Sequence, residues 1–219
     1  MSNYKKKAAE EDIFSPSQFS PYAKAYDKLL KKRIIFLGDE IDRTISSNIV
    51  ATLLYLDAEA PDEPIKFYIN SNGGDLVDGL FSMYDAIQMI KSPVHTICIG
   101  EASSSAAVLL AAGTKGHRAA TANSRIMIHQ VQVQVGSEGR GTDVEIEAKE
   151  VKTVKRQMTE MLARHCGQTY RKVYRDCEND KYLSAQEAKA YGLIDIILEP
   201  QKTVPDLRTR KRARKKKAQ

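Results

Sequence analysis

The chain has 219 residues, of which 42% are apolar and 28% are charged, and its formal net charge is +6 at pH 7. This length and composition fit one soluble globular domain and argue against a disordered or membrane chain. No apolar run approaches the roughly 18–20 residues needed to cross a bilayer. The N-terminal stretch also lacks the apolar core of a secretory signal, so we expect a cytoplasmic protein.

The positive charge is concentrated in one tail. The ten residues from Arg208 to Lys217 include eight Lys or Arg and no acid, which leaves the rest with +6 minus 8, a net charge of −2. A like-charge block of this kind is usually solvated. We therefore predict that residues 201–219 form a basic disordered tail, with nucleic-acid binding as the less favoured alternative.

The three cysteines, Cys98, Cys166 and Cys177, lack metal-ligand spacing and are odd in number. Cys98 lies inside an apolar run and reads as a small buried hydrophobe. The pattern therefore predicts no metal site and no disulfide framework.

Residues 1–25 mix Ser, Pro, Lys and Glu with scattered aromatics, which predicts a mobile N-terminal arm. From residue 26 onward, apolar runs and helical periodicities alternate. The predicted elements are a strand at 33–37, a helix at 42–58, a strand at 65–69, a turn at 70–74, a helix at 76–90, a strand at 94–99, a helix at 103–112 and a strand at 126–129. This rhythm indicates βαβ units and a mostly parallel sheet with right-handed crossovers.

The second half of the chain departs from this alternation. Residues 131–135 alternate with period two, which predicts a half-exposed strand. A long helix is predicted at 142–166, opened by a capping box of Thr142 and Glu145 and carrying an apolar stripe suited to packing against another subunit. A second capping box at 184–187 opens a helix that ends at Gly192, before a last strand at 193–198.

Three features of the sequence point towards acyl transfer. Ser104 lies in a serine cluster between a strand and an Ala-rich helix, where helix capping is the simpler role. His129 ends a strand, at the sheet edge where α/β folds place their sites, and would act as general base. Gly73 and Gly74 follow a strand and permit backbone N–H groups to face an anion, although a tight turn explains them equally well. The acid that would orient His129 cannot be chosen by spacing from 28 carboxylates.

Taken together, the segments between about residues 26 and 198 closely resemble the proteolytic subunits of Clp proteases. The motifs that carry the resemblance are Arg33-Ile-Ile-Phe-Leu-Gly38, Tyr68-Ile-Asn-Ser-Asn-Gly-Gly74, Gly100-Glu-Ala-Ser-Ser104, Ala111-Ala-Gly-Thr-Lys-Gly116, Asn123-Ser-Arg-Ile-Met-Ile-His-Gln130 and Tyr191-Gly-Leu-Ile-Asp195. The resemblance implies an α/β fold of the Clp protease and crotonase type, a βαβ superhelix. Residues 26–200 would form the peptidase domain, and a strand and long helix at about 131–166 would form a protruding handle.

The resemblance also implies the site and the assembly. The serine of the Gly-x-Ala-x-Ser motif falls on Ser104, the motif histidine on His129 and the triad acid on Asp180, while Gly74 and Ser105 would supply the N–H groups of an oxyanion hole. It implies a serine endopeptidase that needs no cofactor and cleaves unfolded polypeptides. It further implies heptameric rings stacked as a tetradecamer and fed by an AAA+ unfoldase.

Several positions depart from the usual family pattern. Ser105 replaces a methionine, and one extra residue lies between Gly74 and Tyr84. The remaining departures are Asn72 in place of proline, an altered and longer loop at 131–141, Asn179 in place of an arginine of the ring–ring contacts, and Lys66 at an aromatic position of the unfoldase-docking pocket. They indicate a divergent paralogue that requires a second subunit type.

Two other classes of function stay open at this point. In the first alternative, the chain is a weakly active or non-catalytic subunit of a mixed-ring complex. The three intact triad residues argue against it. In the second, the chain is a crotonase-like acyl-CoA enzyme, whose activity would not depend on Ser104.

Overall fold

The computed structural model describes residues 23–132 and 141–200. Its helices are α1 (Ala23–Leu30), α2 (Arg43–Glu59), α3 (Ser82–Met89), α4 (Ser105–Ala111), α5 (Gly141–Cys166), α6 (Tyr170–Asp176) and α7 (Ala185–Tyr191), with one π-helix at Leu76–Phe81. Its strands are β1 (Ile34–Leu37), β2 (Ile65–Ser71), β3 (Val94–Ser103), β4 (Ala119–Thr121), β5 (Arg125–Ile128), β6 (Lys181–Ser184) and β7 (Ile196–Leu198).

Five strands form a parallel sheet in the order β1-β2-β3-β4-β7. One face of this sheet carries the side chains of Leu37, Phe67 and Cys98, which are buried in a single core with the apolar residues of the helices. The predicted α/β fold with a parallel sheet is therefore confirmed.

The other face of the parallel sheet is partly exposed, although Ile97 and Ala119 on this face are buried. A row of partners runs across it from Phe36 through Tyr68, Ile97 and Ala119 to Ile196. Phe36 and Ile196 are exposed, as are Ile99 and Leu198 on the same face. We call these four exposed residues the open sheet face. Parallel sheets are normally covered on both faces, so this surface is unusual for a domain that stands alone.

Strand β3 divides between two partners and so bends the sheet towards the site. Ile97 and Cys98 pair with β4, whereas residues 101–103 pair with β5. Gly100 lies between the two halves with φ +85°, a left-handed conformation that glycine adopts readily. Asn70 accepts a hydrogen bond from the Glu101 N–H at 3.1 Å, which fixes the bend. Strand β5 then pairs with β6 in antiparallel orientation.

The helix predicted at 76–90 is continuous in space but begins as a π-helix. Leu80 N–H donates to the Asp75 carbonyl oxygen at 3.0 Å, a bond that spans five residues instead of four. A π-turn accommodates one more residue than an α-turn. This wide turn occupies the stretch between Gly74 and Tyr84, where the family resemblance predicts an extra residue.

Helix α5 packs on its own chain in its second half only. Val154, Met158 and Leu162 are buried in the core, whereas Val144 and Ile146 in the first turns are exposed. The predicted apolar stripe is therefore divided between the core and an exposed segment. No helix in the described ranges is long and apolar enough to cross a membrane.

Several predicted details were wrong or lie outside the described residues. Thr142 lies inside α5, which includes Gly141, so the predicted capping box does not open this helix. Val131 and Gln132 do not form a strand, and the rest of the strand predicted at 131–135 is outside the described ranges. The predicted N-terminal arm and basic tail lie almost wholly outside them too. The capping box of Ser184 and Glu187 is confirmed, as is the end of its helix at Gly192.

A buried ion pair joins three parts of the chain. Arg118 is 1% exposed and its guanidinium binds the Asp195 carboxylate at 2.7 and 2.8 Å. The same guanidinium donates to the carbonyl oxygens of Ala111 at the end of α4 and His165 near the end of α5. It thereby ties α4 and α5 to the segment before β7.

Candidate active site

Ser104 lies at the junction of β3 and α4 in a strained backbone conformation. Its φ of +57° and ψ of −126° are rarely adopted by residues other than glycine. The neighbouring strand supports this conformation, because the Ser104 N–H donates to the Met127 carbonyl oxygen at 2.9 Å. Such strain persists only where the surroundings over-determine it, and it concentrates at functional sites.

His129 directly follows β5 and contacts Ser104. Its Nε2 atom lies 2.7 Å from Ser104 Oγ, a hydrogen-bonding distance. The pairing of β5 with the end of β3 produces this contact, because Ser103 is the register partner of Met127. The histidine is nearly buried, so its ring is held in one environment.

Asp180 reaches the same histidine from the loop before β6. Ile128 pairs with Lys181 in the antiparallel β5–β6 ladder, which places the next residue on one strand beside the preceding residue on the other. His129 Nδ1 lies 3.3 Å from Asp180 Oδ1. The Asp180 side chain is 49% exposed, so this end of the relay faces solvent. The three predicted residues therefore form one chain of polar contacts.

The glycine pair lies opposite Ser104. Ile41 N–H donates to the Gly73 carbonyl oxygen at 2.7 Å, and Asp75 N–H donates to the Ile41 carbonyl oxygen at 2.8 Å. In a parallel ladder the residue between these two bonds points its own N–H away from the partner strand. The Gly74 N–H therefore points away from Ile41, and Gly74 lines the cleft that contains Ser104.

Gly73 has no room for a side chain. A Cβ atom there would lie 2.7 Å from both Ser104 Cβ and the Ser103 carbonyl oxygen, and its φ is +99°. Both the contact and the conformation require glycine.

The two serines beside Ser104 are engaged elsewhere. Ser103 Oγ donates to the Glu101 carboxylate at 2.6 Å. Ser105 is fully buried, and its Oγ donates to the Gly74 carbonyl oxygen at 3.3 Å. Ser105 is also the first residue of α4, so its backbone N–H has no acceptor within the helix. Ser104 is the serine of this cluster that contacts His129.

A cleft of about 360 Å³ surrounds Ser104 and His129. Its lining also includes residues that were not predicted to lie at the site, namely Glu40, Leu76, Met127, Val131, Gln132 and Met158. They come from five separate parts of the chain. Their position depends on the folded arrangement of β5 and α5, so sequence spacing carries no signal for them.

The cysteines are unpaired and buried. Burial raises the pKa of Cys98 and of Cys166 to about 11, and that of Cys177 to about 12. These thiols are therefore protonated near neutral pH and are poor nucleophiles. Within residues 23–132 and 141–200, no group of three or more His, Cys, Asp or Glu is arranged to hold a metal ion.

Comparison with known proteins identifies the family of the chain. The family model for Clp protease matches residues 18–201. The chain is 49% identical over 177 residues to a protein of Frankia casuarinae named ATP-dependent Clp protease proteolytic subunit 3. That match covers 81% of this chain and 82% of the relative. The chain therefore belongs to the Clp protease family of serine peptidases.

Proposed function

We propose that the chain is a serine endopeptidase subunit of an ATP-dependent Clp protease, with Ser104 as nucleophile, His129 as general base and Asp180 as the acid that orients His129. The observation that carries the proposal is the 2.7 Å contact between Ser104 Oγ and His129 Nε2. It is supported by the carboxylate of Asp180 at the other ring nitrogen. A hydroxyl, an imidazole and a carboxylate in this order form the relay of serine peptidases.

In the proposed reaction, Ser104 Oγ attacks the carbonyl carbon of a bound peptide while its proton passes to His129 Nε2. The negative oxygen of the tetrahedral intermediate accepts hydrogen bonds from the N–H groups of Gly74 and Ser105. His129 then protonates the leaving amine, and the C–N bond breaks. A water molecule, deprotonated by His129, then attacks the acyl-serine ester. The bond between the acyl carbon and Ser104 Oγ breaks, and His129 returns the proton to Ser104 Oγ as the second product leaves.

We further propose that the substrates are unfolded polypeptides. The cleft is open and is lined partly by apolar side chains such as Leu76, Met127 and Met158. An extended segment of many sequences fits such a surface, so access rather than the cleft would determine what is cleaved.

We propose that copies of this chain or related subunits form heptameric rings stacked as a tetradecamer, and that an AAA+ unfoldase feeds the enclosed chamber. Two exposed apolar surfaces support assembly with other chains. The open sheet face carries Phe36, Ile99, Ile196 and Leu198, and the first turns of α5 carry Val144 and Ile146. Contiguous exposed apolar surface marks protein–protein contact sites.

The proposal places the protein in the cytoplasm, a reducing compartment. Its three cysteines are buried as free thiols. Unpaired thiols are typical of proteins that fold under reducing conditions.

The proposal is tested by labelling the protein with a fluorophosphonate and locating the adduct by mass spectrometry. We expect labelling on Ser104 and hydrolysis of an unstructured peptide, with both lost in the Ser104→Ala variant. Ser103→Ala is the matched control and should label like the wild type. Native mass spectrometry of the same sample reports the size of the particle. A labelled residue other than Ser104 would contradict the proposed nucleophile.

One observation favours a second candidate, a weakly active subunit of a mixed ring. Asp180 is half-exposed and its contact with His129 is long. A partner subunit that covers Asp180 would shorten this contact. In that case peptide hydrolysis by the isolated chain would be slow and would rise when a related subunit is added. Equal rates with and without the related subunit would exclude this candidate.

A further inference from the structure

A lysine of the long helix is connected to the loop that carries the proposed catalytic acid. Lys155 Nζ donates to Gln130 Oε1 at 2.6 Å and to Tyr174 Oη at 3.3 Å, and it lies 4.3 Å from the centroid of the Tyr174 ring. We call Lys155, Gln130 and Tyr174 the lysine clamp. Its three members come from α5, from the residue after His129 and from α6.

Gln130 links the two loops on which the relay depends. It directly follows His129, and its backbone N–H donates to the Cys177 carbonyl oxygen at 2.6 Å. Its side-chain Nε2 donates to the Glu178 carbonyl oxygen at 3.0 Å. Two hydrogen bonds therefore join the residue beside the general base to the segment two and three residues before Asp180.

The hydrogen bond from Lys155 determines the orientation of the Gln130 side-chain amide. An amide side chain has one acceptor oxygen and one donor nitrogen, and it can rotate unless both are engaged. Lys155 occupies the oxygen with a charged donor, which leaves the nitrogen directed at Glu178. Hydrogen bonds to charged groups are stronger than hydrogen bonds between neutral groups. The lysine therefore fixes the orientation in which Gln130 holds the loop.

The loop needs such support because Asp180 itself is weakly held. Its side chain is 49% exposed and its distance to His129 Nδ1, 3.3 Å, is at the long end of hydrogen-bonding geometry. The other anchor nearby acts on Asp176, which binds Lys172 at 3.0 Å and Lys181 at 3.3 Å. That anchor fixes the end of α6, whereas Gln130 contacts the residues that lead into Asp180.

We propose that Lys155 is a positioning residue for peptide hydrolysis, which acts through Gln130 to hold Asp180 against His129. This inference rests on the proposed function of the triad. Helix α5 does not depend on Lys155 for its attachment, because Val154, Met158 and Leu162 bury it in the core. Loss of the ammonium group therefore affects the loop more than the fold.

The test compares Lys155→Met with Lys155→Arg and with Lys152→Met, an exposed lysine one turn earlier on the same helix. Each is made in the wild type and in the Asp180→Asn background. The readouts are kcat and KM for an unstructured peptide and the rate of fluorophosphonate labelling of Ser104. Native mass spectrometry confirms that particle size is unchanged.

We expect Lys155→Met to lower kcat and the labelling rate roughly tenfold, as the loss of one charged hydrogen bond predicts, with KM unchanged. Lys155→Arg should restore at least half of the rate, and Lys152→Met should have no effect. In the Asp180→Asn background, Lys155→Met should cause no further loss, because its route to His129 is already broken. Gln130→Met provides a second variant that leaves the lysine in place, and it should give the same loss, non-additive with Lys155→Met.

The inference is overturned if Lys155→Met leaves kcat unchanged, raises KM instead, or lowers the rate equally in both backgrounds. Its failure is distinguishable from failure of the proposed function. If wild-type Ser104 does not label, the triad is wrong. If wild-type Ser104 labels and Lys155→Met labels equally fast, only the role of Lys155 is wrong.

Discussion

Ser105 Oγ donates a hydrogen bond to the carbonyl oxygen of Gly74 across 3.3 Å. This bond joins the first turn of α4 to the loop after β2. The same two residues are proposed to bind the oxyanion through their backbone N–H groups. The methionine that the family resemblance predicts at this position has no hydroxyl to make such a bond. In this chain, a side-chain hydrogen bond therefore connects the two residues that we propose as main-chain donors.

We predict that Ser105→Ala lowers kcat for peptide hydrolysis roughly fivefold, because a neutral hydrogen bond contributes about 1 kcal/mol. KM should change little, since the bond acts on the intermediate and not on the bound substrate. Steady-state kinetics on an unstructured peptide measure both constants. Ser103→Ala removes a buried hydroxyl that bonds Glu101 and serves as the control. Equal kinetics for Ser105→Ala and wild type would show that the spacing is held by the backbone alone.

We predict that Gly73→Ala abolishes labelling of Ser104 by a fluorophosphonate. The new methyl group would lie 2.7 Å from Ser104 Cβ, so the serine or the loop must shift. Gly167→Ala is the matched control, because Gly167 also has a positive φ but nothing lies within 4 Å of the added atom. It should lose about 1 kcal/mol of stability from backbone strain and keep its labelling rate. Equal labelling in both variants would contradict the close approach.

We predict that Asp195→Asn is strongly destabilising. It leaves the Arg118 guanidinium, 1% exposed, without its counter-charge, and breaking a buried pair in this way costs about 3–5 kcal/mol. Asp78→Asn removes a carboxylate from the exposed pair with Arg43 and should cost under about 1 kcal/mol. Urea unfolding at pH 7 measures both. If Asp195→Asn does not yield folded protein, Arg118→Lys tests the same pair with a milder change. A loss of unfolding free energy as small as that of Asp78→Asn would contradict the prediction.

The same pair gives a pH dependence of a known sign. The hydrogen bonds from Arg118 hold the pKa of Asp195 well below its usual range. The folded state therefore binds the proton less readily than the unfolded chain, and the contribution to stability is full above about pH 4 and is lost as the pH falls further. Wild-type stability should drop on acidification below pH 4 by more than that of Asp195→Asn.

His165 gives a second pH effect, in a higher window. Burial lowers its pKa to about 4, with the positive charge of Arg118 acting in the same direction, and Tyr84 Oη lies 2.8 Å from its Nε2. An unfolded histidine titrates near pH 6.5, so between about pH 6.5 and 4 the unfolded state binds a proton that the folded state does not. The free energy of unfolding should therefore decrease as the pH is lowered through this window. His165→Gln should show a flatter dependence of its urea midpoint between pH 7 and 4.5, and parallel curves would contradict the assignment.

The order of the helices and strands was predictable because each apolar run or helical stripe is formed by residues that are close together in the sequence. Strands β1, β2 and β5 and helices α2 and α5 are close to their predicted positions. Strand β3 is longer than predicted, at Val94–Ser103, because its second half is held by a partner, β5, that sequence periodicity cannot reveal. Strand β4, with the sequence Ala-Ala-Thr, and strand β6, with the sequence Lys-Tyr-Leu-Ser, were missed because neither contains a run of large apolar residues like that of β1.

The residues of the site also divide into those that had a local signal in the sequence and those that only the fold brings together. Ser104 was predicted to lie between a strand and an Ala-rich helix and His129 at the end of a strand, so their residue types and positions pointed to chemistry. Asp180 came only from the family resemblance, because the antiparallel pairing of β5 with β6 that brings it to His129 joins residues far apart in sequence. Gln130 lies in a motif that carries the family resemblance, but its contact with Lys155 had no signal, since the two residues are far apart in sequence and only the fold places them together.

The wide turn at Leu76–Phe81 lies between the glycine pair and helix α3 and has room for one more residue than an α-turn. The extra residue that the family resemblance predicts could therefore be accommodated there without moving the active centre. We expect a gap in an alignment of such chains to fall within residues 76–81 rather than at the glycines. Removing one residue from that turn would convert it to a regular α-helix, which makes it a natural position for shortening the chain.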